Sequence, residues 1–289
     1  MANFHLMHCA PYPRVHGLHG YLEVIQTIGW ALEQFGHQVK YELNQFDPQA
    51  INIVFGLQVL PMEILSKLPD NTIMYNMEQL RNLAPAQVRP QFHYAAQRFE
   101  IWDYTDANAG MWDALGAKRV QTVPIGYAPL LTRIAPPPQQ DIEVLLYGIS
   151  SPQRLGALHF LSNAGLRTVY LSGLYGPARD ELIGRSKIVL NVTLYEQTQI
   201  FEVVRVSYLL ANSKAVVAIR DPHTVVEPDI ERAIRFTTME RVAADCLELC
   251  ERDDLRARAE ATALEVIQRR DIRPIIGTAL SKSSIRLTV

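Results

Sequence analysis

The sequence predicts an α/β protein made of two Rossmann-like domains whose parallel sheets face a cleft. Three observations carry that expectation. Short apolar strands alternate with helix-length segments along both halves of the chain. Two strands of the second half, Lys187-Ile-Val-Leu-Asn-Val192 and Ala215-Val-Val-Ala-Ile219, are almost continuously apolar, as strands covered on both faces must be. Between the halves, Ala135-Pro-Pro-Pro-Gln-Gln140 holds the chain extended and reads as a semi-rigid linker. It divides the 289 residues into an expected N-terminal domain over 1–135 and a C-terminal domain over 141–289, each of ordinary domain size.

The elements follow in order. Asn3–Cys9 reads as a strand, and Tyr21–Phe35 as a helix with Leu22, Ile25, Ile28, Leu32 and Phe35 on one stripe. Gly36 stands where a helix wants a left-handed C-terminal residue. Strands are expected at 38–43, 51–55, 72–75, 101–104 and 119–123. In the second half, strands at 142–147, 168–171, 187–192 and 215–219, with one more at 233–236, alternate with helices at 152–163, 178–184 and 200–210. From Glu240 onward the chain reads as helical and charged.

Composition excludes several classes. The chain is 48% hydrophobic, enough for a sizeable core, and no apolar run approaches the roughly 18 residues a membrane-spanning helix needs. A formal charge of -2 supplies no overall pull toward nucleic acid or anionic membrane, so neither is expected as a partner. The N-terminus lacks the basic cluster and apolar stretch of a signal peptide. The three cysteines, Cys9, Cys246 and Cys250, form no disulfide framework, and a cytoplasmic location is expected. Cys246 and Cys250, four apart on a helix, read as an apolar stripe.

In doubly wound sheets, ligands sit beyond the carboxyl ends of the strands, which directs attention to the residues after each strand. Gly148-Ile-Ser-Ser-Pro-Gln-Arg154 follows one strand and opens a helix. Gly148 permits a tight turn, Ser150 or Ser151 can cap the helix, and Pro152 suits its first turn. Helix-end N–H groups with Arg154 beside them would suit a phosphate. The plainer reading is a capped helix with an exposed arginine. Asn191 ends the next buried strand, and Thr198 or Gln199 is expected to start the following helix. Glu202 and Arg205, three apart, would share its face. A carboxylate there can accept from a ribose diol, and an arginine can fork onto a phosphate. The alternative is a local ion pair, although the apolar neighbours imply a buried helix on which both charges need partners.

In the first half, His5 and His8 fall on opposite faces of a strand, and no further ligand set completes a zinc site, so no metal is expected. His16 and His19 lie in the Val15-His-Gly-Leu-His-Gly20 loop after the first strand, where an imidazole could serve as general base or simply face solvent. Glu78, in Tyr75-Asn-Met-Glu-Gln79, could hold a substrate hydroxyl or cap the next helix. Asp103 and its neighbours stand after the following strand in the same way. Absent are G-x-G-x-x-G after the first strand, the P-loop signature, any Asp-x-Asp and a G-x-S-x-G elbow.

On these residues the chain resembles the GT-B glycosyltransferases of group 1, with a CgeB-like C-terminal half. The resemblance is best over 142–270. It rests on Ile142–Tyr147 with Gly148, on Ser186-Lys-Ile-Val-Leu-Asn191, on Phe201-Glu-Val-Val-Arg-Val-Ser207 and on Phe236-Thr-Thr-Met-Glu240. The first half is similar more loosely, through Trp30-Ala-Leu-Glu-Gln-Phe-Gly-His37. Retaining members carry two glutamates separated by seven residues, whereas here Glu196 and Glu202 are separated by five.

The resemblance implies metal-independent transfer of a sugar from a nucleotide-activated donor to an acceptor hydroxyl, as in polysaccharide biosynthesis. The nucleotide sugar would be a co-substrate rather than a cofactor, and the acceptor stays open. Glu202 would hold the donor ribose, Gly148, Ser150, Ser151 and Arg154 would lie near the phosphates, and Arg205, with Asn191 and Thr198, would support them. His16, His19 or Glu78 would act on the acceptor side. The other reading is a non-catalytic module of the same fold that binds a glycan, nucleotide or protein. A nicotinamide oxidoreductase lacks its glycine fingerprint.

Overall fold

A computed structural model describes residues 1–10, 20–135, 137–194 and 199–285. His16, His19, Glu196 and Thr198 therefore lie outside the described residues. The elements of the first half are β1 (Asn3–His8), α1 (Leu22–Gln34), β2 (Gln38–Leu43), β3 (Ile51–Phe55), α2 (Met62–Leu65), β4 (Ile73–Asn76), α3 (Pro90–Arg98), β5 (Glu100–Asp103), α4 (Ala109–Ala114) and β6 (Val120–Thr122). The rest of the chain supplies β7 (Ile142–Tyr147), α5 (Pro152–Asn163), β8 (Thr168–Leu171), α6 (Pro177–Arg185), β9 (Ser186–Asn191), α7 (Val203–Ala211), β10 (Ala215–Ile219), α8 (Pro228–Glu231), β11 (Ile234–Thr237), α9 (Val242–Glu251), α10 (Asp253–Gln268) and α11 (Ile272–Lys282).

The strands form two separate, wholly parallel sheets, ordered β2-β1-β3-β4-β5-β6 and β11-β10-β9-β7-β8. In each sheet the second strand lies on one side of the first and the third strand on the other. The chain thus reverses its direction of winding between β1 and β3, and again between β7 and β9. Loops leaving the two strands at such a point diverge and open a crevice at their carboxyl ends. Register places Leu6 between Tyr41 and Ile53 in one sheet, and Leu146 between Tyr170 and Leu190 in the other.

The chain separates into two compact units. In the first, Met7, Val54, Met74, Ile101, Phe92 and Trp112 build the core on one face of the sheet. The Phe92 and Trp112 rings lie 5.8 Å apart. In the second, Val144, Leu146, Ile188, Leu190 and Val217 of the sheet pack on Ala157 and Leu161 of α5 and on Val242 and Cys246 of α9. Each buried leucine or valine contributes on the order of 2 kcal/mol. Cys246 and Cys250 are both buried on α9, the apolar stripe that their spacing predicts.

Two departures have clear physical causes. The sequence expects the chain to its last residue in the second domain, but α11 packs in the first unit, which takes in the chain from Asp271 onward. Gly277 is the reason it fits: a Cβ there would come within 3.2 Å of the Phe35 ring of α1. Arg273 also lies over the Trp30 ring at 5.7 Å, and Ser283 and Ser284 donate to Glu100. Phe35, which ends the α1 stripe, thus finds its partner more than 200 residues away in sequence. The second departure is the start of α7. A helix is expected from Ile200, yet Ile200 bridges Val225 and the Phe201 N–H donates to the Val225 carbonyl. That pairing keeps the chain extended, so α7 begins at Val203, and Glu202 stands at its N-cap instead of inside its first turns.

Candidate functional site

The loops after β7 and β9, which flank the reversal point of the second sheet, bring most of the expected donor residues together. Gly148 directly follows β7, and its φ of +135° is a conformation side chains rarely adopt. A Cβ at this position would lie 2.5 Å from Nη1 of Arg154 and 3.0 Å from Nη2 of Arg205. The glycine is what lets two guanidinium groups crowd against the strand end. Its carbonyl accepts from the Tyr170 hydroxyl at 3.0 Å, which fixes the turn.

Ser151 is the N-cap of α5, its hydroxyl accepting from the Arg154 N–H at 3.3 Å. Ser150 is exposed beside it. Arg154, read from sequence as lying beside a phosphate or as an exposed arginine, is not exposed. Its side chain is wholly buried. Nε donates to the Val192 carbonyl at 3.0 Å, Nη1 to the Ile149 carbonyl at 2.7 Å and Nη2 to Glu202 Oε1 at 3.3 Å. Burial pulls its guanidinium below the usual arginine range, and Glu202 opposes that shift. The cause of the placement is the alternation of the chain: the residue that opens α5 falls beside the end of β9, where carbonyl groups of the next loop need donors. Arg154 therefore ties the loop after β7 to the loop after β9.

Glu202 is shared. Besides Arg154, its carboxylate takes Arg205 Nη1 at 2.7 Å and the Leu194 N–H at 3.2 Å. The spacing of three that predicts a common face for Glu202 and Arg205 thus yields a direct pair. Arg205 is more open than its partners, with 23% of its side chain exposed. It lies over the Tyr147 ring at 5.3 Å and donates to Asn191 Oδ1 at 3.4 Å. The buried Nδ2 of Asn191 has no acceptor among the described residues. Among the described residues, the cluster sets two guanidinium groups around one carboxylate, a net positive charge. Next to it, a pocket of about 660 Å³ opens at the carboxyl ends of β9, β10 and β11, with Gln153, Thr193, Ile219, Arg220, Thr238 and Met239 in its lining. That pocket has no local signature in the sequence, because it is assembled from four separate segments.

In the first unit, Glu78 stands two residues past β4. Its Oε1 accepts from the Tyr21 hydroxyl at 2.5 Å and from Gln58 Nε2 at 2.8 Å. Burial raises its carboxyl above the usual range, and the Tyr21 hydrogen bond partly offsets that. Neither Tyr21 nor Gln58 is singled out by the sequence, although Gln58 follows β3 just as Glu78 follows β4. Beneath them lies a polar network built on Asp103, the last residue of β5. Its carboxylate accepts from Asn76 Nδ2 at 2.7 Å, Trp112 Nε1 at 2.6 Å, the Thr105 N–H at 3.0 Å and Asn108 Nδ2 at 3.1 Å. Asn76 and Asn108 in turn donate to the Glu78 carbonyl at 3.0 and 2.9 Å. Desolvation pushes the Asp103 carboxyl up to about 6 in spite of those bonds. Among the described residues, no three His, Cys, Asp or Glu side chains converge to hold a metal ion. No helix among them is long and apolar enough to cross a membrane.

Two parallel sheets of six and five strands, each with its helices, make this the GT-B glycosyltransferase fold. The particular structures it matches are such enzymes. HepE of Anabaena, solved in complex with UDP-glucose, superposes with a TM-score of 0.64 at 12% identity, over 98% of this chain and 100% of that one. Sucrose-phosphate synthase of Thermosynechococcus elongatus gives 0.60 at 11% identity, over 98% and 99%. AviGT4, a glycosyltransferase of avilamycin A biosynthesis, gives 0.56 at 13% identity, over 98% and 97%. At such identities the likeness is one of fold. No protein-family model and no curated protein sequence matches the chain.

Proposed function

We propose that this protein is a glycosyltransferase that moves a sugar from a nucleotide-activated donor to an acceptor hydroxyl, with the nucleotide held by the second unit. The observation that carries this reading is the crowding of the Arg154 and Arg205 guanidinium groups on Gly148, with one carboxylate between them. The surplus positive charge suits a diphosphate, as does the N-terminal end of α5. Structural likeness to HepE, solved with UDP-glucose and with UDP, supports a uridine nucleotide as the first donor to try.

In this reading Arg205, the more open of the two arginines, forks onto the phosphates and stabilises the charge that develops on the leaving group. Arg154 is a positioning residue, which holds Glu202 and both loops in place. Asn191 Nδ2 supplies a further donor for a ligand oxygen. The 660 Å³ pocket takes the nucleoside, with Glu202 at the ribose. Ser150 and Ser151 border the phosphates, and Thr198 belongs to the same loop in sequence. No step calls on a metal ion or a cofactor. The first unit takes the acceptor. There Glu78, its proton affinity raised by burial, accepts the acceptor hydroxyl proton, with Tyr21 and Gln58 fixing its orientation. His16 and His19 are the other candidates for that role.

A thermal-shift screen over nucleotides and nucleotide sugars, followed by a transfer and hydrolysis assay, tests the reading. A nucleotide that binds the folded chain raises its melting temperature, and turnover of the corresponding sugar completes the case. No nucleotide binding would sink the proposal. Binding without turnover would identify a non-catalytic module of the same fold.

A further inference from the structure

At the edge of the second sheet opposite the Gly148 loop, a cavity of about 680 Å³ lies at the amino ends of β9 and β10. Its lining carries four cations, Arg167, Lys187, Lys214 and Arg256, against two carboxylates, Asp253 and Glu260. Local pairing accounts for some of these charges. Arg256 Nη2 meets Asp253 at 2.6 Å, and Arg167 meets Glu143 at 3.4 Å. The two lysines are different. Lys214 Nζ donates to the Ser186 carbonyl at 2.5 Å, and Lys187 Nζ to the Cys250 carbonyl at 3.0 Å. Among the described residues, neither lysine is ion-paired with a carboxylate.

Each ammonium has three donors, and its carbonyl bond uses one. Of the nearby carboxylates, Glu260 faces Lys214 and Arg256, and Glu143 faces Lys187 as well as Arg167. Lys214 is buried, and desolvation draws its ammonium down to about 8, with Glu260 opposing the shift and Arg256 adding to it. A recess with surplus positive charge and low-dielectric walls concentrates anions. The volume is that of a small-molecule site and exceeds the needs of one phosphate. Gln139 and Ser213 add an amide and a hydroxyl to the lining.

We propose that this cavity binds a small phosphate-bearing polyol, such as a sugar phosphate, at a site separate from the nucleotide site on the other edge of the sheet. Lys187 and Lys214 receive the phosphate, and the polar lining receives the hydroxyl groups. Bound there, a ligand touches the starts of the strands whose far ends carry the Asn191 and Ile219 loops.

The test is calorimetric titration of the full chain with glucose 6-phosphate and, separately, with inorganic phosphate. Four proteins are compared: the unaltered chain, Lys187→Gln, Lys214→Met and Arg205→Ala. The expected result is one site for the sugar phosphate, weakened at least about tenfold by Lys187→Gln and by Lys214→Met, as loss of a charged hydrogen bond predicts. Arg205→Ala should leave it within about twofold. Lys187 is only half-buried, so Lys187→Gln keeps the test decisive if Lys214→Met does not fold. Absence of binding, unchanged affinity in Lys187→Gln, or loss of binding in Arg205→Ala would overturn the site. Tighter binding of the sugar phosphate than of inorganic phosphate supports the polyol, and equal affinities would overturn that part.

Discussion

Arg154 and Glu202, 48 positions apart, meet at 3.3 Å between Nη2 and Oε1, and the arginine side chain has no exposed surface. The pair joins the start of α5 to the N-cap of α7, the two helices that follow the strands flanking the reversal of the second sheet. Removing Arg154 leaves Glu202 to Arg205 and the Leu194 N–H, and it takes the buried donor from the Val192 and Ile149 carbonyls, at a cost of about 1–3 kcal/mol each. Arg154→Met should therefore lower the denaturant midpoint strongly and lose nucleotide affinity with it. A stable Arg154→Met protein with full affinity would show that the pair organises nothing.

Arg205→Ala should behave differently. Its guanidinium is partly open, and Glu202 keeps Arg154 as a partner. Stability should change little, while affinity for UDP falls about 10- to 100-fold, the worth of a charged hydrogen bond. Calorimetry on the folded variant measures this, and an unchanged dissociation constant would remove Arg205 from the phosphate site.

Gly148→Ala should be severe for so small a change. The new Cβ would meet Arg154 Nη1 at 2.5 Å in a backbone region that alanine rarely adopts. The backbone strain alone costs on the order of 1–3 kcal/mol, and both guanidinium groups must shift. Loss of nucleotide binding together with a lower unfolding midpoint is expected. Gly156→Ala is the control, since a Cβ there meets nothing within 4 Å.

Glu78→Gln should lower turnover by about 10²–10⁴-fold, the usual range for a general base, with UDP affinity unchanged. Because burial raises the Glu78 carboxyl, the acidic limb of the pH–rate profile should lie above the ordinary carboxylate range and vanish in the variant. Normal turnover in Glu78→Gln would pass the role to His16 or His19, which single alanine variants would then separate.

Asp103 gives a pH signature in stability. Its folded-state value of about 6 lies above the ordinary aspartate value of 3.8, so between these limits the folded chain binds more protons than the unfolded one. Stability from this group is therefore full below about pH 4 and declines as pH rises through 6, by on the order of 3 kcal/mol. The stability of the unaltered chain relative to Asp103→Asn should shrink across that window. A constant difference from pH 4 to pH 7 would show that Asp103 does not titrate there.

Much of the fold is legible in the sequence. The continuous apolar runs at Ile188–Leu190 and Ala215–Ala218 announce strands buried on both faces, and that is where they lie. Gly36 and Gly165 mark helix ends by their positive φ. The start of α7 was not legible, since the Ile200–Val225 pairing that delays it joins residues with no local signature. The placement of α11 was hidden for the same reason, its apolar face being equally suited to any apolar partner.

For the candidate site, the sequence by itself determined which residues stand at strand ends: Gly148, Ser151, Asn191 and Glu78. The periodicity of strand and helix places them there whatever the rest of the chain does. Only the tertiary structure decided which of them are available to a ligand. It buried Arg154 against two carbonyl groups and Glu202, left Arg205 partly open, and gave Glu78 the company of Tyr21 and Gln58. The physical reason is that local pattern reports which face a residue occupies, whereas the partner of a buried charge comes from wherever the sheet order brings another strand end alongside.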